Sequence, residues 1–296
     1  WENPPRRDYI TGLTQTLQPR SKDVAKTALT SVLGKVFAGS DPLRKQATAS
    51  ASKLGITEVG PFLTALVNDE KASPSARVEA LNALEGLKEA KLADSVKKAL
   101  ASEVPQLRNA GRAIAIKTQR SATVTDLEKV LRGTNISEQQ GAFEILAKYG
   151  DNDTADFVAA RLDDIMGGKM PKELLLDALE ATTAGAKYSP ALAMRKKAYE
   201  DAVSKEPATK YQETLVGGDA SKGREIFLNK AAVQCQRCHK LDGQGGDVGP
   251  LLNGLGKQKR EYLLDALVLP NKDIAKGFES VSITTLDGKT VSGVLR

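Results

Sequence analysis

Residues 73–87 read SPSARVEALNALEGL, and this stretch indicates how most of the chain folds. Its apolar side chains recur every third position and would form one stripe on a helix, at Val78, Leu81, Leu84 and Leu87. Pro74 suits the first helical position, where its missing N–H would be unpaired in any case. Ser73 stands immediately before it, as Asp41 stands before Pro42, and both are predicted to cap free helical amides.

Prolines recur at the starts of predicted helices along the chain. Prolines that open helical stretches are spaced by 32, 31 and 66 residues, at Pro42, Pro74, Pro105 and Pro171. The 66-residue spacing equals two repeat lengths of 33. The repeat start in its middle falls near Glu138, where an amphipathic run begins without proline. A second, shorter helix is predicted in each unit, at residues 59–67, 92–100, 124–131, 154–165 and 190–203. Because no helix pair can bury its apolar face alone, the repeat predicts a stacked α-solenoid over residues 22–206.

These units resemble short HEAT-like repeats, whose pattern is D/S-P-x-x-R-x-x-A-x-x-A-L. The best match has the dipeptide Ser73-Pro74 followed by Arg77, Ala80, Ala83 and Leu84. Tetratricopeptide and ankyrin repeats fit less well, because their signature patterns are not found. The resemblance implies either a concave surface on which a partner protein docks or a spacer between domains.

Composition excludes several classes of protein. With 41% hydrophobic residues and a net charge of +6 the chain is not a disordered polymer. Two cysteines and one histidine exclude a disulfide-dense scaffold and a zinc site of four cysteines or two histidines within this chain. No apolar run approaches the roughly 18 residues of a membrane helix, and no arginine-rich arm indicates nucleic-acid binding. The start, WENPPRR, lacks an initiator Met and a signal peptide, so we interpret it as a mature or excised fragment.

The five residues Cys235-Gln236-Arg237-Cys238-His239 hold every cysteine and the only histidine of the chain. The spacing C-x-x-C-H is the attachment signature of c-type haem. On a helical turn two residues three apart lie about 60° from each other, so both sulfurs could reach one edge of a porphyrin. His239 could then provide the neutral nitrogen that ligates the iron. A zinc site, a redox dithiol and a buried structural pair are weaker alternatives.

Two flanking patterns extend this motif. Gly223 and Phe227 form G-x-x-x-F before it, and residues 249–252 form G-P-x-L after it. Here the sequence resembles class I cytochromes c. The resemblance implies one covalently bound haem c, with Leu252 among the haem contacts and the Pro250 carbonyl accepting a hydrogen bond from His239 Nδ1–H. It also implies that Phe227 packs on the haem edge, although an ordinary core position is as plausible for this side chain.

More narrowly, residues 217–296 resemble the haem-binding domain that follows HEAT-like repeats in large bacterial proteins, which often also carry a sugar-dehydrogenase-like propeller. Two strands flanking Asp287-Gly288, at residues 280–285 and 290–294, predict the β-hairpin insertion of that family. The predicted fold is therefore mainly α: a lead segment (1–21), helical repeats (22–206), a linker (207–216) and a small cytochrome c domain (217–296).

The sixth iron ligand is missing from the pattern. Class I cytochromes supply a methionine downstream of C-x-x-C-H, whereas the methionines here all lie upstream, at Met166, Met170 and Met194. The terminal helix of that family is likewise not found between the motif and Arg296. We expect the domain to be truncated at its C-terminus, with the methionine loop outside this chain. There are two alternatives. The sixth site is open, or its ligand comes from one of these methionines or from another chain.

These features predict electron transfer through a single haem, with the repeats as docking scaffold and no catalytic centre in this chain. The alternatives are a haem enzyme or ligand sensor with an open sixth site, and an interaction scaffold in which haem is accessory. Lys257, Lys259 and Arg260 either steer an acidic redox partner or form a solvated basic face. The expected partner is a redox protein or an attached dehydrogenase domain, and the resemblance implies a periplasmic or otherwise extracytoplasmic location.

Overall fold

The computed structural model describes residues 5–7, 14–16, 21–203, 206–230 and 232–294, and the protein is mainly α. Its helices are α1 Lys22–Thr30, α2 Leu33–Phe37, α3 Asp41–Leu54, α4 Gly60–Asn68, α5 Pro74–Gly86, α6 Leu92–Leu100, α7 Pro105–Ala115, α8 Arg120–Leu131, α9 Ile136–Tyr149, α10 Asn152–Met166, α11 Leu175–Gly185, α12 Pro190–Ala202, α13 Pro207–Lys210, α14 Ala220–Asn229, α15 Cys235–Cys238 and α16 Arg260–Val268. Short antiparallel strand pairs are β1 Pro5–Arg7 with β2 Thr14–Thr16, β3 Lys240–Leu241 with β4 Gln244–Gly245, and β5 Ser280–Thr284 with β6 Thr290–Val294. No helix within the described ranges is both long and apolar enough to cross a bilayer.

The chain packs into two compact units, Trp1–Gly150 and Asp151–Arg296. The linker predicted at residues 207–216 thus lies inside the second unit. The predicted lead segment 1–21 falls outside the described residues, apart from β1, β2 and Ser21.

In the first unit, α5 lies at the centre of the packing. It contacts α3 and α7 on its flanks and α4 and α6 along the chain, and α7 in turn contacts α9. Leu81 and Leu84 are fully buried, while Val78 and Leu87 pack half-buried against the same core. Small buried residues let the neighbouring helices approach closely, at Ala76, Ala80 and Ala83.

The two predicted caps behave differently. The Ser73 hydroxyl accepts a hydrogen bond from the Ala76 N–H at 3.3 Å and caps α5 as predicted. The prediction for Asp41 is wrong, because Ser40 occupies the cap position and Asp41 is the first residue of α3. Its carboxylate instead accepts the Ser73 N–H at 2.6 Å, and the hydrogen bonds from Ser73 lower the pKa of Asp41. A side chain at the start of one predicted repeat therefore holds the start of the next predicted repeat, within the same compact unit.

In the second unit, α10, α11 and α12 pack on one another. The 3₁₀ turn Gln212–Leu215 contacts both α11 and α16, and α13 contacts α16. Arg260 Nη1 donates to the Leu215 carbonyl at 2.8 Å. The segment predicted as a linker therefore contains two helical turns that pack on helices before and after it. The predicted hairpin is confirmed, with Ile283 opposite Val291 in its register.

A largely buried ion network joins three helices of the first unit. Glu138 Oε1 on α9 accepts hydrogen bonds from Arg108 Nε at 2.7 Å and Arg112 Nη1 at 2.8 Å, both on α7. Arg112 Nε also donates to Asp126 Oδ2 on α8 at 2.7 Å. The Arg108 hydrogen bond is the main reason that the pKa of Glu138 falls to about 2. The Glu138 side chain is only 14% exposed, so water screens these charges weakly.

We predict that Glu138→Gln lowers the free energy of unfolding by about 3 kcal/mol at pH 7, because two guanidinium groups lose their shared carboxylate. Since the folded-state pKa of Glu138 lies below the ordinary value of 4.5, the network stabilises fully above pH 4.5 and loses its contribution as pH falls towards 2. Urea unfolding followed by circular dichroism measures both effects.

Glu128→Gln is the matched control. Glu128 pairs with Arg132 at 3.9 Å on the exposed surface of α8, and losing that pair should change the free energy of unfolding by less than about 0.5 kcal/mol. Equal stabilities of the two variants would contradict the assigned role of Glu138.

Candidate functional site

The C-x-x-C-H segment forms a single helical turn after a strained residue. Gln234 adopts a φ of 46°, in the left-handed region that glutamine rarely enters, and α15 begins at the next residue. The His239 N–H closes the turn by donating to the Cys235 carbonyl at 3.0 Å. Cys235 is half-buried and Cys238 is exposed, and both are free thiols. Three residues apart on one turn, the two side chains leave the backbone on the same side.

His239 lies at the C-terminal end of this turn and is half-buried. Its Nδ1 lies 2.9 Å from the carbonyl oxygen of Pro250, which is the partner that the resemblance to class I cytochromes c implies. A carbonyl can only accept, so this contact assigns the proton to Nδ1. The other ring nitrogen, Nε2, then carries the lone pair that can ligate a metal.

Two glycines let the following loop lie directly on the backbone of the turn. The Gly246 N–H donates to the Gln236 carbonyl at 2.8 Å. A Cβ atom on Gly245 would overlap the His239 carbonyl oxygen, and one on Gly246 would overlap that of Arg237. Gly245 also has a φ of 117°, which side chains with a Cβ rarely adopt. These positions therefore accept glycine alone.

A third glycine borders the imidazole itself. The Gly249 N–H donates to the Cys238 carbonyl at 2.7 Å. A Cβ atom at this position would lie 2.7 Å from His239 Cε1 and 2.8 Å from Nδ1, closer than van der Waals contact allows. Because Pro250 is the next residue, Gly249 fixes both the space for the ring and the place of its hydrogen-bond acceptor.

The remaining predicted site residues are less constrained. Phe227 is half-buried on α14, which packs on α15. Leu252 is also half-buried, and its N–H donates to the Lys240 carbonyl at 3.0 Å. This bond holds the end of the loop close to the residue that follows His239. Lys257 and Lys259 are exposed.

The methionines lie in another part of the second unit. Met166 ends α10 and Met194 lies in α12, and these helices pack on each other and on α11. Met170 lies between α10 and α11. His239, by contrast, follows α15, which packs on α14 and β4.

Sequence reasoning missed a polar pair at the base of the loop. The Asp242 N–H donates to Asn253 Oδ1 and Asn253 Nδ2 donates to Asp242 Oδ1, both at 3.0 Å. Arg224 on α14 reaches Asp242 Oδ2 at 3.4 Å. The sequence signal for this turn was the dipeptide Asp242-Gly243, because aspartate tolerates the left-handed conformation that turns require. In the structure Asp242 has a φ of 51°. Nothing in the sequence pointed to Asn253.

The described residues of the region around the site form no buried core. None of the residues between 206 and 294 whose exposure the structure describes is buried, whereas the helices before them have an extensive core. Large apolar side chains here are 41–79% exposed, at Ile226, Val248, Leu251, Tyr262 and Leu267. Such a density of exposed apolar groups in a small region is typical of a surface that binds a further group.

Within the described ranges, no three His, Cys, Asp or Glu side chains converge to hold a metal ion. No protein-family model matches the chain, and no curated protein sequence matches it either.

We predict that Gly249→Ala displaces the His239 ring from the Pro250 carbonyl, because the new methyl group would occupy the space of the imidazole. His239 is the only histidine, so ¹⁵N-histidine labelling gives one unambiguous set of NMR signals. The expected result is loss of the slowly exchanging Nδ1–H.

Gly256→Ala serves as the control, since no atom lies within 4 Å of a Cβ at that position and its φ is not positive. An unchanged Nδ1–H signal in Gly249→Ala would show that the loop does not confine the ring.

Proposed function

We propose that residues 217–296 belong to a class I cytochrome c domain that binds one haem c covalently and transfers electrons. The single observation that supports this most is the arrangement at 235–250: two thiols on one helical turn, followed by a histidine whose Nδ1 meets the Pro250 carbonyl at 2.9 Å.

The donor set fits this cofactor. Cys235 and Cys238 offer two thiols on the same side of one turn, the spacing that two thioether bonds to the vinyl groups of a porphyrin require. His239 offers Nε2 as a neutral axial ligand, and the Pro250 carbonyl would hold the ring in the correct tautomer and strengthen it as a donor to the iron. Haem, when bound, supplies a one-electron ferric–ferrous couple whose potential depends on its axial ligands and burial.

The apolar surface of the region fits as well. A folded region of this size needs apolar burial to offset its loss of conformational entropy, yet its described residues are at most half-buried. A large flat apolar cofactor would cover side chains such as Leu251 and Phe227. The predicted haem contacts Pro250 and Leu252 lie on either side of Leu251 in the chain.

The helices before this region are proposed to form a HEAT-like solenoid that acts as docking scaffold. Polar links separated by 32 residues, one repeat length, support this proposal. They join Asp41 to Ser73 at 2.6 Å, Glu85 to Lys117 at 2.5 Å and Asp163 to Arg195 at 2.7 Å. Stacked repeats bring equivalent positions of successive repeats into contact.

The proposed setting follows from covalent haem attachment, which in bacteria takes place outside the cytoplasmic membrane. A periplasmic or otherwise extracytoplasmic location and a redox protein or attached dehydrogenase domain as partner are therefore proposed together with the haem.

A second candidate is a haem enzyme or ligand sensor with an open sixth iron site. The observation that favours it is the position of Met166, Met170 and Met194, which lie before the motif and on or between α10, α11 and α12, helices that pack on one another. Rapid binding of carbon monoxide and cyanide to the holoprotein would favour this candidate over electron transfer.

We predict that the chain, produced with cytochrome c maturation proteins, carries one haem that survives denaturation. Its mass should exceed that of the polypeptide by one haem, and its alkaline pyridine haemochrome should show the α-band of a haem with two thioether bonds. Cys235→Ala with Cys238→Ala should abolish covalent attachment, and His239→Ala should change the Soret spectrum of the holoprotein because the iron loses its imidazole ligand.

Arg237→Ala is the matched control, because Arg237 lies between the two cysteines and is exposed. It should retain covalent haem in full. A wild-type protein with the mass of its amino acids alone would refute the proposed function.

A further inference from the structure

We propose that Asp242 and Asn253 form a clasp that keeps His239 in its ligating orientation, so that Asn253 is a positioning residue of the haem site. This inference rests on the function proposed above. The clasp is the reciprocal pair of hydrogen bonds between these two residues.

The pair closes a loop at its base. One bond uses the backbone N–H of Asp242 and the other its side chain, so Asn253 binds the backbone and the carboxylate of Asp242 at once. Asp242 keeps a left-handed φ of 51°, a conformation that persists where surrounding contacts hold it. Arg224 adds a contact from α14 at 3.4 Å, but both side chains are more than half exposed, so this ion pair contributes little.

The enclosed loop carries the groups that touch the histidine. Between Asp242 and Asn253 lie Gly249, whose N–H binds the Cys238 carbonyl at 2.7 Å, and Pro250, whose carbonyl lies 2.9 Å from His239 Nδ1. Glycine occurs four times in this loop, at 243, 245, 246 and 249, which makes the open segment unusually free in its backbone. Together with the Leu252–Lys240 hydrogen bond, the clasp restricts that freedom at the base of the loop and thereby holds the Pro250 carbonyl in place.

Loss of the clasp has a consequence at the iron. A carbonyl that accepts from Nδ1–H makes the imidazole a stronger donor to the metal and so favours the ferric form. If the loop opens, this hydrogen bond weakens, the midpoint potential rises and the Nδ1 proton exchanges with solvent more rapidly.

The test uses the full-length holoprotein and the charge-neutral variant Asn253→Ala. The midpoint potential is measured by spectroelectrochemical titration and the His239 Nδ1–H exchange rate by ¹⁵N-histidine NMR. We expect a higher potential and exchange at least several-fold faster than in the wild type. Asn271→Ala is the control, because Asn271 is an exposed asparagine of the same region and should change neither quantity.

The conservative variant Asp242→Asn keeps an acceptor for Asn253 Nδ2 and the backbone donor for Asn253 Oδ1, and loses only the charge that faces Arg224. Its exchange rate should therefore stay close to that of the wild type. If Asn253→Ala fails to accumulate haem, Asn253→Ser is measured in the same way.

The outcomes separate the two proposals. A wild-type protein without covalent haem refutes the proposed function itself. If the wild type carries haem and Asn253→Ala matches Asn271→Ala in potential and exchange rate, the clasp has no positioning role. If neither Asn253 variant carries haem while Asn271→Ala does, the pair serves folding alone, and the proposal is equally overturned.

Discussion

The hydrogen bond between His239 Nδ1 and the Pro250 carbonyl is the contact on which the arrangement of the site depends. It joins residues eleven apart in the chain, and it can form only if the intervening backbone returns to the helical turn. That return brings peptide groups into direct contact at Gly246 and Gly249, where side chains would collide with a carbonyl or with the imidazole. The glycines of the loop permit this close approach, and the hydrogen bond itself leaves Nε2 of His239 without a proton.

The helical part of the fold could be predicted from local pattern because its signals are local. Prolines at Pro42, Pro74 and Pro105 lie in the first turn of α3, α5 and α7, where the absent N–H costs nothing. The role of Asp41 could not be predicted, because its acceptor oxygen serves an amide 32 residues later, which depends on how the helices pack. The Glu138 network and the division into units at Gly150 likewise depend on contacts between distant segments.

At the candidate site, the sequence identified the residues whose chemistry is unusual and missed those whose role is geometric. Cys235, Cys238 and His239 stand out because no other cysteine or histidine exists in the chain. The partner of His239 came from a family resemblance, and the geometry agrees with it. Asn253 could not be found in this way, because asparagine in a loop is common and its significance lies only in the position of Asp242 across the loop.

The link between Asp41 and Ser73 bears on how the first compact unit responds to acid. Asp41 accepts the Ser73 N–H at 2.6 Å, and the hydrogen bonds from Ser73 lower the pKa of this carboxyl. Protonation of Asp41 therefore weakens the contact that joins α3 to the start of α5, the helix on which α3, α4, α6 and α7 pack. A single carboxyl thus couples the ionisation of the protein surface to the anchoring of its central helix.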